Sequence, residues 1–297
     1  MTILVLGDSH SNMFAGMPDA IWFDLRKCQQ VLFTAHRFNN SQDEDLWNLL
    51  DQWFSENTIN SDDPSRKLVI TAGEVDLRAH YWRHIPRHYQ IASDIIKYIR
   101  AQVEEFYNTL NAVCNKYALE HIVVWSHPVA GERAHYNSHH PFSGSSQTRN
   151  QLIHIWNREF FNIIKNDQCI SLATAYYDYI DPSNYTTADP AISPDGVHWR
   201  ESVASTFWNT LILPGLESPG IYAGGNWDVM YNDKFDMCDS ISTGIQQYDT
   251  WVRSDQLQNT EDLNRFIYIN GNTYAWLPAN QRFLLPENYV ELSLQKV

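Results

Sequence analysis

The sequence predicts a three-layer α/β/α fold with a mostly parallel sheet, followed by a small β-rich C-terminal region. Three observations predict it. Short runs that are apolar throughout recur along residues 1–213, at 3–6 (ILVL), 31–34 (VLFT), 68–71 (LVIT), 122–125 (IVVW) and 170–173 (ISLA). Strands covered by helices on both faces read this way, because neither face meets water. Segments of helical periodicity lie between these runs, and strand–helix alternation of this kind builds an open, mostly parallel sheet. Finally, polar and reactive residues follow the runs, at the carboxyl ends of the strands, where such sheets place their ligands.

Each element has its own reason. The run at 3–6 passes directly into Gly7-Asp8-Ser9-His10, a strand ending in a turn. Residues 41–56 open on Ser41-Gln42-Asp43-Glu44, a capping-box pattern. Leu46, Leu49, Leu50, Trp53 and Phe54 then fall on one helical face. Residues 90–117 repeat apolar positions at Ile91, Ile95, Ile99, Val103, Phe106 and Leu110, a long helix. Residues 148–165 and 201–212 give two more helices. After Pro214 the texture changes: Gly215, Gly220, Gly224 and Gly225 with two prolines mark a boundary between residues 1–213 and an appendage at 214–297. In the appendage, RFIYI and NTYAWL flank Asn270-Gly271, a type I′ hairpin signal, and YVELSL is a further strand.

Composition narrows the function classes. The chain has 297 residues, 43% of them hydrophobic, enough for a packed core. A net charge of −14 argues against a nucleic-acid partner, whose phosphates demand a basic face, and against an anionic membrane surface. No apolar run approaches the roughly 18 residues of a transmembrane span. The start reads as the first strand rather than a leader, so a cytoplasmic protein is expected. Cys28, Cys114, Cys169 and Cys238 are scattered without a CxxC pair, which predicts free thiols in a reducing compartment.

Three constellations carry chemistry. Ser9, on a strand-to-helix turn, is a candidate nucleophile. Asp195-Gly196-Val197-His198 precedes a helix, and its DxxH spacing suits a histidine base held by an aspartate. Gly73-Glu74-Val75-Asp76-Leu77-Arg78-Ala79-His80 follows the run at 68–71. Gly-Asp-Ser and Asp-x-x-His are each ordinary turn chemistry; the signal is their placement at the two ends of one alternating domain. A softer feature is the stretch 126–147, with His127, His135, His139 and His140, which reads as a substrate-covering loop. Trp251, Phe266, Tyr268, Tyr274 and Trp276 offer either the core of the appendage or a sugar-stacking platform.

On these motifs residues 1–213 resemble the SGNH (GDSL-type) hydrolase superfamily, whose first block is GDS after strand one and whose last is DxxH. The resemblance implies Ser9 as nucleophile, His198 as base and Asp195 as its orienting partner, with no cofactor or metal. It implies a small-molecule or glycan ester as substrate, taken by an esterase or an O-acyl (acetyl) transferase. The sequence departs from the family twice. The third block is normally GxND, with the Asn in the oxyanion hole; here it is GEVD, with Val75 in place of Asn. The second block normally supplies a glycine, and no glycine lies between Gly16 and Gly73. Substitute donors or polar neighbours are then sought among Asp8, His10, Asn12, Gly73, Glu74, Asp76, Arg78, His80 and a backbone N–H near Ala35. The missing donors also motivate a non-catalytic binding or assembly module on the same scaffold. The other alternative is a calcineurin-like metallophosphoesterase, because DSHSN matches a DxHxN opening in which Asp8 and His10 bind an ion. Its later GNH segment is missing from the sequence.

Overall fold

The structure, a computed structural model, describes residues 2–23, 33–62, 64–77, 92–131, 146–181, 187, 196–224, 249–253, 266–269, 272–278 and 291–292. Five strands and their continuation form one six-stranded, all-parallel sheet. In chain order they are β1 (Ile3–Gly7), β2 (Ala20–Trp22), β3 (Lys67–Thr71), β4 (His121–Trp125), β5 (Ile170–Thr174) and β6 (Ile221–Ala223), arranged β2-β1-β3-β4-β5-β6. The fold is three-layer α/β. The strands β1, β3, β4 and β5 are buried almost end to end, which is why their sequences are apolar without alternation.

Helices α1 (Ala35–Asn39), α2 (Glu44–Phe54), α3 (Ala92–Tyr117) and α4 (Ser146–Ile164) connect the strands. Ile99, Val103, Phe106 and Leu110 of α3 are fully buried, on the face their spacing predicts. Side chains α3 and α4 meet through Phe106, whose ring lies 6.1 Å from those of Trp156 and Phe160. A run of short helical turns from Glu201 to Glu217 follows β5, passing from 3-10 to α to π and back to α.

The structure moves several elements. The expected strand at 31–34 is not seen: Val31 and Leu32 lie outside the described residues, while Phe33 and Thr34 lead into α1, where the Thr34 hydroxyl accepts the Arg37 N–H at 3.1 Å. The second strand is instead β2. It is three residues long and partly exposed at the sheet edge, so it leaves no continuous apolar run to read. Helix α2 starts at Glu44 with Asp43, not Ser41, as its cap; Asp43 accepts the Leu46 N–H at 3.2 Å and pairs with Arg37 at 2.6 Å. Pro214 falls within this helical run, directly after its π segment Trp208–Ile212, rather than ending it. The parallel sheet then continues to Ala223, beyond the boundary read from the sequence.

Farther on, β7 (Asp249–Arg253), β8 (Phe266–Ile269), β9 (Asn272–Pro278) and β10 (Glu291–Leu292) form an antiparallel sheet, ordered β10-β7-β9-β8. Ile269 pairs with Asn272 in the antiparallel pair β8–β9, and the expected turn residues Asn270-Gly271 lie outside the described residues. Two of the scattered cysteines meet: the Sγ atoms of Cys114 and Cys169 are 2.7 Å apart. Among the described residues no helix is long and apolar enough to cross a membrane.

At the end of β1, Gly7 lies directly against Thr71 of β3. A Cβ there would lie 2.4 Å from the Thr71 carbonyl oxygen and 2.5 Å from its Cγ2. Gly7→Ala should therefore lower stability by about 1–3 kcal/mol, the usual cost of overpacking. Gly16→Ala, with open space around the new methyl, should not. Urea midpoints of the two variants check the contrast.

Candidate active site

Strands β1 and β3 pair in register from Ile3–Lys67 to Gly7–Thr71, and the Asp8 N–H continues the ladder onto the Thr71 carbonyl at 3.3 Å. The chain leaves β1 toward β2 on one side, while β3 lies on the other. This is the switch point of the sheet, where a crevice opens at the carboxyl ends of the strands. Both motif loops, Gly7–His10 and Gly73–Asp76, leave the sheet here.

The first loop turns at once into a 3-10 helix, Ser9–Phe14, capped by Asp8. Asp8 Oδ1 accepts the His10 N–H at 3.0 Å, and the Asp8 carbonyl accepts the Ser11 N–H at 3.0 Å and the Ser11 hydroxyl at 2.8 Å. Trp22 Nε1 in turn donates to Ser11 Oγ at 3.1 Å, tying the turn to β2. The result is an alternation: Asp8 and His10 are buried, and Ser9 between them is exposed. Of the N–H groups that open the turn, those of His10 and Ser11 are occupied by Asp8; the Ser9 N–H has no hydrogen-bond partner among the described residues.

Ser9 Oγ lies 2.7 Å from His198 Nε2, across a sequence separation of 189 residues. The loop that delivers His198 is anchored on both sides. Gly196, at φ 71°, accepts the Gly131 N–H at 3.0 Å through its carbonyl, and buried Trp199 packs against Tyr179 and Phe207 at 5.2 Å from each. With Nε2 unprotonated the serine hydroxyl donates to it, the arrangement a base needs to take that proton.

Behind this pair sits a buried polar layer. His10 Nε2 approaches Glu74 Oε2 to 3.1 Å. The His10 ring lies over that of His198, centroids 4.6 Å apart and planes tilted by 32°. Gly73 adopts φ 108°, and a Cβ on it would lie 3.1 Å from His127 Cε1. His127 itself is buried against Trp156 at 4.7 Å. Burial pushes the Asp8 carboxyl up to about 6; His10 and its N–H oppose this, and Glu74 adds to it. Burial pulls His127 down to about 4, against the pull of Glu74, so it is neutral at physiological pH.

The remaining sequence candidates distribute as follows. Asn12 is exposed on the 3-10 helix. Asp76 Oδ2 accepts the Ala35 N–H at 2.7 Å and Oδ1 the His36 N–H at 3.4 Å, so its carboxylate caps α1 and the Ala35 donor is spent on it. Val75 is half-buried. Asp195, Arg78 and His80 lie outside the described residues, as do His135, His139 and His140. Among the described residues no three His, Cys, Asp or Glu side chains are grouped to hold a metal ion. The sequence placed His127 in a covering loop; it belongs to the buried layer instead. The signal was its position directly after β4, two residues past Trp125.

No family model matches the chain, and no curated protein matches it. Among solved structures it is similar to a Streptococcus pneumonia protein named after platelet activating factor, with a TM-score of 0.44 and 13% identity over 70% of this chain and 80% of that one.

The raised Asp8 carboxyl has a signed consequence. Between its ordinary value near 4 and about 6, the folded state holds a proton that the unfolded state has released. Asp8 therefore contributes stability at low pH that is lost as pH rises through this window. His127, lowered to about 4, works in the opposite sense between pH 4 and 6.5. Asp8→Asn should remove the first effect only. Its unfolding free energy relative to wild type should grow by on the order of 1–3 kcal/mol from pH 4 to pH 7, read from urea titrations at each pH.

Proposed function

We propose that the protein is a serine-dependent ester hydrolase or O-acyltransferase acting on a small or glycan ester, with an SGNH-type catalytic arrangement. One observation carries the reading: the 2.7 Å contact between Ser9 Oγ and His198 Nε2 at the switch point of the sheet. The chemistry follows from that contact. Ser9 Oγ attacks the ester carbonyl as His198 Nε2 takes its proton. The tetrahedral intermediate collapses, and His198 returns the proton to the leaving alkoxide. Water, or an acceptor hydroxyl in a transferase, then resolves the acyl-enzyme by the same steps in reverse. The Ser9 N–H is the donor at hand for the oxyanion, and Asp195, by its DxxH spacing, is the partner of the imidazole.

The metallophosphoesterase alternative would need Asp8 and His10 for an ion. Asp8 Oδ1 is engaged by the His10 N–H, and the His10 ring by Glu74 and His198, which favours the serine chemistry.

A fluorophosphonate probe should label the wild-type protein at Ser9, and Ser9→Ala should abolish labelling. Hydrolysis of p-nitrophenyl acetate should fall by about 10³-fold or more in Ser9→Ala and in His198→Ala, since members of such a unit fail together. An unlabelled wild type with no esterase activity would instead support a binding module on the same scaffold.

A further inference from the structure

We propose that His10 and Glu74 form a positioning dyad that fixes the plane of the His198 imidazole for proton exchange with Ser9; this rests on the acyl-transfer reading above. His10 is 3% exposed and Glu74 is 7% exposed. Two ionisable groups at that depth are costly, and an apolar pair of the same shape would often stabilise the fold as well or better. Their placement accounts for the cost. His10 is held from behind by its own N–H on Asp8 Oδ1, and its ring nitrogen faces Glu74 at 3.1 Å. One face of its ring is turned to His198, with centroids 4.6 Å apart.

The base needs such a surface. His198 arrives on a loop, is half-buried, and has a ring torsion with broad minima. Rotation of that ring would carry Nε2 off the serine oxygen. The flat face of His10 limits this rotation, and Glu74 limits the rotation of His10. The dyad also joins the two sequence motifs: His10 directly follows Ser9, and Glu74 directly follows Gly73.

The test uses four variants of the full chain. His10→Phe keeps a ring and loses the polar contact; His10→Gln keeps a donor and loses the ring. Glu74→Gln is nearly isosteric, and the fourth variant combines His10→Phe with Glu74→Gln. The readouts are the rate of fluorophosphonate labelling at Ser9, kcat and KM for p-nitrophenyl acetate, and the melting temperature. Each single variant should lose about 10- to 100-fold in kcat and labelling rate with KM little changed, the size expected of a misplaced catalytic group. The double variant should be no worse than the poorer single, because the two residues act as one unit. Variants that melt like wild type and react at its rate would overturn the dyad while leaving Ser9 as nucleophile. Losses that appear only in KM, or that multiply in the double variant, would also overturn it. Glu74→Gln keeps the question open to measurement should His10 variants fail to fold. A wild type that is never labelled at Ser9 would remove the acyl-transfer reading and the dyad with it.

Discussion

The site depends on one close contact, the in-register pairing of β1 with β3 where Gly7 meets Thr71. Four apolar residues on β1 and three on β3 commit both strands to the buried centre of the sheet. Both faces of these strands are buried, so the register is marked by the Gly7–Thr71 pairing, where no side chain fits at the end of β1. Because the pairing runs to the last residue of each strand, both following loops start from fixed points a single strand spacing apart. Only glycine fits at the end of β1, where a side chain would strike the Thr71 backbone. The next residues inherit that placement: Asp8 must bury, Ser9 must emerge, and His10 must turn back inside.

The third component comes from far along the chain, and nothing in the β1–β3 pair dictates it. Its positioning is a separate piece of construction. Trp199 is sunk among aromatic rings, and the Gly196 carbonyl is fastened to Gly131 beyond β4. His198 stands between these two fixings. The Ser9–His198 contact therefore reports on three strand ends at once, those of β1, β4 and β5. Its 2.7 Å length is a result of the whole sheet rather than of local sequence.

How much of this was legible in the sequence follows from where each signal originates. Four of the five apolar runs became strands because burial on both faces leaves an unmistakable apolar word. The fifth failed where that signal fails: β2 lies at the edge, short and half-exposed, and its place was given instead to a segment beginning at Val31. Asp43 displaced Ser41 as the cap of α2 because it also pairs with Arg37 from α1, a tertiary contact that a local pattern cannot contain. The motifs GDS, GEVD and DxxH were legible as motifs. That His10 and Glu74 face one another was not, since each residue alone reads as a polar loop position. His127 was misread for a similar reason: histidine-rich sequence suggests solvent, and only the packing of Gly73 and Trp156 shows the burial.

The departures GEVD and GDSH make physical sense when taken together. Val75, half-buried, has no group to offer an oxyanion. The polar capacity of that loop sits one residue earlier, at Glu74, and a buried carboxylate there would be unfavourable without a cationic or donating neighbour. His10 is that neighbour, and it is available because it follows the serine directly. A carboxylate near the oxyanion would repel the charge that develops there. Glu74 instead meets the His10 ring nitrogen at 3.1 Å, while the His10 ring lies against that of His198. Under the proposed acyl-transfer reading, the loop after β3 would serve the base rather than the oxyanion, leaving the Ser9 N–H as the donor at hand. The buried Asp8 carboxyl, pushed up to about 6, completes the same logic. Asp8 Oδ1 accepts the His10 N–H and the Asp8 main-chain carbonyl accepts the Ser11 N–H, and burial keeps the carboxyl uncharged until the pH rises above that value.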